Sequence, residues 1–181
     1  MYSAIHECVG AANLKLQALL KTLRFHNDRG ILQIFKSHLL SFIEYRTVAI
    51  SHCSPSSLEP VNDILTRLLV RLGITHEEAL FHFNLAPLET RRDIAQLGLI
   101  HRAVLRQGPP HLHKFFVRVG ALNGHNHQAY DPTSGSNLQY IQNSLFGFIG
   151  TYNRLPQRIV DLCSVSEFQS ELQHIIKKAV V

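Results

Sequence analysis

Arginine suits phosphate better than any other side chain: its planar guanidinium is always charged and offers two parallel N–H donors. Six arginines of this 181-residue chain are spaced so as to gather. Arg91, Arg92, Arg102 and Arg106 lie in one run, and at ~100° per residue they share an arc of roughly 100° on a helix. Arg67 and Arg71 stand one helical turn apart. Such faces could make charge-assisted contacts to the phosphates of a nucleic acid without reading its bases. The same spacing also describes a solvated helix face carrying a few surface ion pairs.

Other chemistries find less support. Gly-rich phosphate loops and Gly-x-Ser-x-Gly elbows do not occur. The five aspartates (Asp28, Asp63, Asp93, Asp131, Asp161) are scattered, so no local pair could hold two cations about 4 Å apart. No catalytic residue is therefore expected. His111-x-His113 and His125-Asn126-His127 could share a metal on an extended segment. The second group, with Asp131 nearby, is superficially similar to a His-Asn-His nuclease core. Its Gly- and Asn-rich surroundings predict neither the hairpin nor the helix such a core needs, so a polar surface loop is expected and no metal or cofactor is assigned. His101 falls near the buried side of its helix, as a core-edge histidine would.

The main arginine run needs a helix from Pro87 to about Gly108. Pro87 suits its first turn, Glu89 its positive end, and Arg102 and Arg106 its negative end. Gly108 suits the left-handed closing position, and Pro109-Pro110 forbid continuation. Ile94, Leu97, Ile100, Val104 and Leu105 form the opposite, apolar side.

Upstream, leucines from Leu14 to Leu23 predict a first helix. Asp28 is a plausible cap for a second, running to about Ile50, whose wide apolar face (Ile31, Ile34, Phe35, Leu39, Phe42, Ile43) makes it the expected central helix. A third begins near Leu58 or Glu59 with Pro60 in its first turn, carries Arg67 and Arg71 opposite its apolar stripe, and closes at Gly73. Thr75 caps a short helix towards Phe83. From about Arg118 to Gln142 the periodicity is lost among Gly, Asn and Asp-Pro residues. Beyond it, Leu145–Ile149 are ambiguous between strand and irregular helix, and Pro156 opens a short helix. Ser164 and Glu167 form a capping box for the last helix, with Phe168, Leu172, Ile175 and Ile176 on one face. The expected fold is all-α: a helical bundle over 1–118, a loop or flexible linker over 119–143, and a helical C-terminal tail over 144–181.

Composition agrees with a globular chain: 45% hydrophobic and 17% charged, with a net charge of +5 that is compatible with an anionic partner. Cys8, Cys53 and Cys163 are dispersed and odd in number, which suits a reducing, intracellular compartment, nucleus or cytoplasm. Neither a secretory leader nor a membrane-spanning run is expected.

Four segments resemble one family in the same order. Phe35-Lys36-Ser37 followed by Ile43-Glu44-Tyr45 resembles the segment after the catalytic domain of non-LTR (LINE-type) retrotransposon reverse transcriptases. The leucine-rich helix ending at Gly73 is similar to the next segment, and Leu85-Ala86-Pro87-Leu88-Glu89-Thr90-Arg91-Arg92 to the start of the helix after it. Tyr152-Asn153-Arg154-Leu155-Pro156, then Val160, Phe168 and Leu172, resembles the end of these polyproteins. Where the family usually has Trp, this chain has Tyr152, and near Glu44-Tyr45, where another Trp is expected, it has Ala49-Ile50. The resemblance implies the helical thumb and C-terminal part of an RNA-directed DNA polymerase, without fingers, palm or paired aspartates and so inactive alone. Its implied partner is template–primer nucleic acid, RNA or DNA, contacted through phosphates by Arg91, Arg92, Arg102 and Arg106, with Arg67 and Arg71 as a second set. The competing expectation is a helical protein-interaction module with no nucleic-acid role.

Overall fold

A computed structural model describes the backbone of residues 2–45, 50–119 and 125–180. The chain is all-α, with no β-strand among the described residues and one isolated antiparallel bridge, Arg118 to Ala129. It divides into two compact units, Met1–Arg92 and Asp93–Val181.

The first unit is built from α1 (Tyr2–Leu20), α2 (Asp28–Ile34), α3 (Ser41–Glu44), α4 (Pro55–Leu72) and α5 (His76–Phe83). A π-helical stretch, Phe35–Leu40, joins α2 to α3 and turns Phe35, Leu39 and Leu40 inward. Apolar residues at offsets of three and four put Leu58, Val61, Ile64, Leu65, Leu68 and Leu69 of α4 into the same core as Ile31, Leu32 and Ile43. Burying a side chain such as Phe35 in full contributes about 1.5–3 kcal/mol. Lys36 donates from Nζ to the carbonyl of Phe83, a cation at the negative end of α5.

Helix ends follow local chemistry, with three departures from expectation. Asn27, not Asp28, caps α2, its side chain accepting from the Gly30 N–H at 2.9 Å. Helix α4 starts at Pro55 behind the Ser54 cap, several residues before Leu58, which leaves Pro60 inside the helix. A serine cap followed by proline is a complete start signal, and the later proline removes one backbone donor without ending the helix. Gly73 closes α4 in the left-handed conformation, and Thr75 with Glu78 forms a full capping box on α5.

The third departure is at α6 (Leu88–Val104). Arg106, at φ +57°, takes the left-handed position expected for Gly108. The Gln107 N–H bonds the Arg102 carbonyl at 2.9 Å and the Arg106 N–H bonds the Ala103 carbonyl at 3.0 Å, the paired closure that ends many helices. The helix stops at Val104, where these bonds can close, and its left-handed closing residue lies two positions before the glycine.

Helix α6 contributes Leu88 to the first core and Ile94, Leu97, Ile100, Ala103 and Val104 to the second. The compact units therefore divide inside the 1–118 segment read from the sequence as one domain. The second unit also holds α7 (Pro110–His113), α8 (Gln139–Gln142), α9 (Ile149–Tyr152), α10 (Gln157–Val160) and α11 (Val165–Val180). Within the expected linker 119–143, residues 120–124 lie outside the described residues. Of the remainder, His125 and Ala129 are buried, so this segment packs into the second core despite its loop composition.

Gly147, which dilutes the apolar pattern, is required by packing. A Cβ there would lie 2.1 Å from the Gln142 carbonyl oxygen and 2.6 Å from that of Ile141. Backbone cannot swing aside as a side chain can. Gly147→Ala is expected to destabilise the protein by about 1–3 kcal/mol in a denaturant titration, whereas Gly10→Ala, with open space around it, should not.

Candidate nucleic-acid interface

The six arginines have three different fates. Arg92 is buried, and its Nη2 donates to Asn62 Oδ1 at 2.7 Å. Arg91 is half-buried and pairs through Nε with Glu44. Neither lies on an open face. Along α6 from Arg92 to Val104, Arg102 is the one exposed residue. The expected solvent-facing arc therefore shrinks to Arg102 and Arg106, both exposed. Arg67 and Arg71 are exposed on α4, with Arg67 donating to Asn13 Oδ1 and, at 3.3 Å, to the Asp63 carbonyl. Among the described residues Arg71, Arg102 and Arg106 carry no ion pair.

The charge around Arg102 and Arg106 is one-sided over a long stretch. No Asp or Glu occurs between Asp93 and Asp131, while Arg102, Arg106, Lys114 and Arg118 do, and all four are exposed. Arg118 contacts the His127 ring and Lys114 lies over Phe115, so Arg102 and Arg106 are the cations of this stretch most open to an external anion.

Two histidines from the same stretch, His101 and His125, turn inward, whereas His111 is exposed and His113 half-buried. His101 is fully buried in the second core, its ring stacked on Phe168 at 4.1 Å between centroids and 9° between planes. Its Nε2 lies 2.7 Å from the Leu162 carbonyl oxygen and its Nδ1 3.0 Å from the Tyr152 hydroxyl. A carbonyl can only accept, so Nε2 carries the proton, and the Tyr152 O–H donates to Nδ1. His125 is held the same way: Nε2–H donates to the Tyr152 carbonyl at 2.9 Å, and Nδ1 accepts from the His127 N–H at 3.1 Å. His127 Nε2 lies 3.4 Å from Asp161. Asn153 clamps the backbone of Ala129, accepting from its N–H at 2.9 Å and donating to its carbonyl at 2.8 Å.

Both nitrogens of His101 and of His125 are thus consumed by structural bonds. Among the described residues no three His, Cys, Asp or Glu side chains converge as metal ligands would. Burial lowers the His101 pKa, with smaller contributions from His127 and His125 and an opposing one from the bond to Leu162. Burial also raises the Tyr152 pKa, so its hydroxyl stays protonated and can donate.

The sequence placed His101 at the core edge but held no sign of its partners, which come from residues 51 and 61 positions away. Compared with models of known protein families, with curated proteins and with solved structures, the chain matches none. No described helix is long and apolar enough to cross a membrane.

Two outcomes follow from the His101 network. Tyr152→Phe removes the donor to a buried acceptor and should cost about 1–3 kcal/mol in denaturant titration. Because the folded His101 pKa is depressed, the unfolded chain binds more protons as pH falls. This contribution to stability is complete above the ordinary imidazole range and declines as pH drops below about 6.5. Denaturant midpoints measured between pH 8 and 5 should fall on the acid side. His101→Gln should lose part of that dependence.

Proposed function

We propose that this chain is a non-catalytic helical piece of a retroelement RNA-directed DNA polymerase, similar to the thumb and C-terminal region of non-LTR reverse transcriptases, and that it binds nucleic-acid backbone. The observation that carries this reading is the carboxylate-free stretch after Asp93, with Arg102, Arg106, Lys114 and Arg118 exposed along it. The four ordered segments of family resemblance give it its family context. Arg102 and Arg106 are the principal phosphate contacts, with Arg67 and Arg71 on the first unit as a second set. Arg91 and Arg92 serve instead to hold Glu44 and Asn62. The role is sequence-independent: guanidinium groups on phosphates fix position and supply affinity but carry no base information.

A helical protein-interaction module remains the second reading, and one feature favours it. An open groove of about 340 Å³ between α1 and α4 has Leu16, Leu20 and Val70 in its lining, beside Arg67 and Arg71. Val70 is 72% exposed there and offers the groove an apolar rim.

Salt separates the two. If phosphates are contacted, log affinity for duplex DNA falls with log salt at about −0.9 per contact. In anisotropy titrations at several salt concentrations, Arg102→Ala with Arg106→Ala should weaken binding to all sequences alike and flatten that slope by roughly two. Arg92→Ala should lower stability instead, since it removes a buried side chain and leaves half-buried Asn62 without its donor. Absence of duplex binding at low salt, or an unchanged slope in the double variant, would leave the interaction module ahead.

A further inference from the structure

Beside the bridge between Arg118 and Ala129, the Val119 N–H bonds the Gln128 carbonyl at 3.0 Å and the Tyr130 N–H bonds the Val117 carbonyl at 2.8 Å. This is a short antiparallel ladder. Opposed residues share a face and successive residues alternate. Ala129 is buried, so its face looks inward. Val117 and Tyr130, opposed one step along, face outward and are 55% and 60% exposed. Phe115, two residues before Val117, is also exposed and lies edge-on to Phe146 at 5.8 Å, which fixes its ring. Lys114 Nζ stands 4.9 Å from the Phe115 ring centroid.

Exposed apolar side chains grouped on one face, rather than scattered singly, mark an interaction site. Charge selects the occupant: Lys114 is the cation beside these rings. Arg118 is paired with Ala129 on the other face and contacts His127. Asp131, next to Tyr130, alternates away from the platform and is held by Thr133. An aromatic face with a cation at its side matches an unpaired nucleic-acid strand, whose bases stack while a phosphate meets the cation. A duplex keeps its bases stacked inside and offers these rings nothing.

We propose that Phe115, Val117 and Tyr130, with Lys114, form a stacking platform for the bases of single-stranded nucleic acid, an inference that rests on the backbone-binding reading above. Arg102 and Arg106 supply affinity for any nucleic acid. The platform adds a preference for strands with free bases.

The chain has no tryptophan, so Tyr130→Trp creates one fluorophore on the platform itself. Saturable quenching by a thymidine oligonucleotide about 16 nucleotides long, and not by a duplex of equal length, is expected because stacking requires a free base. Tyr130→Ala should weaken oligonucleotide binding about tenfold while leaving duplex affinity and the salt slope of both ligands unchanged. Tyr130 is exposed, and its backbone bond to Val117 survives either substitution. Binding of the oligonucleotide without quenching and without loss in Tyr130→Ala would overturn the platform yet leave backbone binding intact. Binding of neither ligand would overturn both. A blue shift of the tryptophan with rising protein concentration, with no nucleic acid present, would assign the face to a second copy of the chain instead.

Discussion

A polar group taken out of water must find its hydrogen bonds inside the protein, and the second unit depends on how this is met at His101. The imidazole has no access to solvent, yet the Leu162 carbonyl accepts from Nε2–H, the Tyr152 hydroxyl donates to Nδ1, and Phe168 covers its face. Three separate stretches of chain, around residues 101, 152 and 162–168, are tied at this one ring. An unpaired nitrogen there would cost 1 kcal/mol or more. Its full satisfaction therefore specifies one arrangement of α6, α9 and the start of α11. Asn153 extends the same logic to the ladder by standing in for a missing strand against Ala129.

The residues that carry the family resemblance turn out to be residues that hold the fold. Lys36 bonds the end of α5, and Glu44 pairs with Arg91, so the first resembling segment is tied to the third. Tyr152 and Asn153, from the last, anchor the second core and the ladder. The proposed nucleic-acid contacts use positions that these bonds do not: Arg102 near the end of α6, Arg106 just beyond it, and the outward side of the ladder. Arg106 holds a left-handed backbone that glycine would adopt more easily. A cation kept at such a position is consistent with a use for its charge.

Long periodic helices were legible in the sequence. Helices α4, α5, α6 and α11 carry apolar stripes with caps at Gly73, Thr75 and Ser164, and each formed over its stripe, though α4 begins earlier, at Pro55, and α6 ends earlier, at Val104, than expected. The arginine face was legible only in part. Helical spacing puts Arg91 and Arg92 beside Arg102, but it cannot show that Glu44 and Asn62, 47 and 30 residues away, draw them inward. Arginine stems pack against apolar surface as readily as they extend into water. The ladder near Tyr130 was not legible either. Its residues read as loop because Asn153, a side chain distant in sequence, supplies bonds that a strand would otherwise give. The role of Gly147 depends on a carbonyl five residues back that only the folded chain brings close.

The proposed function requires exposed residues of the second unit to meet nucleic acid, and ultraviolet cross-linking of the intact chain to a single-stranded oligonucleotide, read by mass spectrometry, tests that contact most directly. Cross-links are expected on peptides spanning Arg102 to Arg118 and on the peptide containing Tyr130. Cross-links confined to the lysines near the end of α11, Lys177 and Lys178, or to the α1–α4 groove, would contradict it.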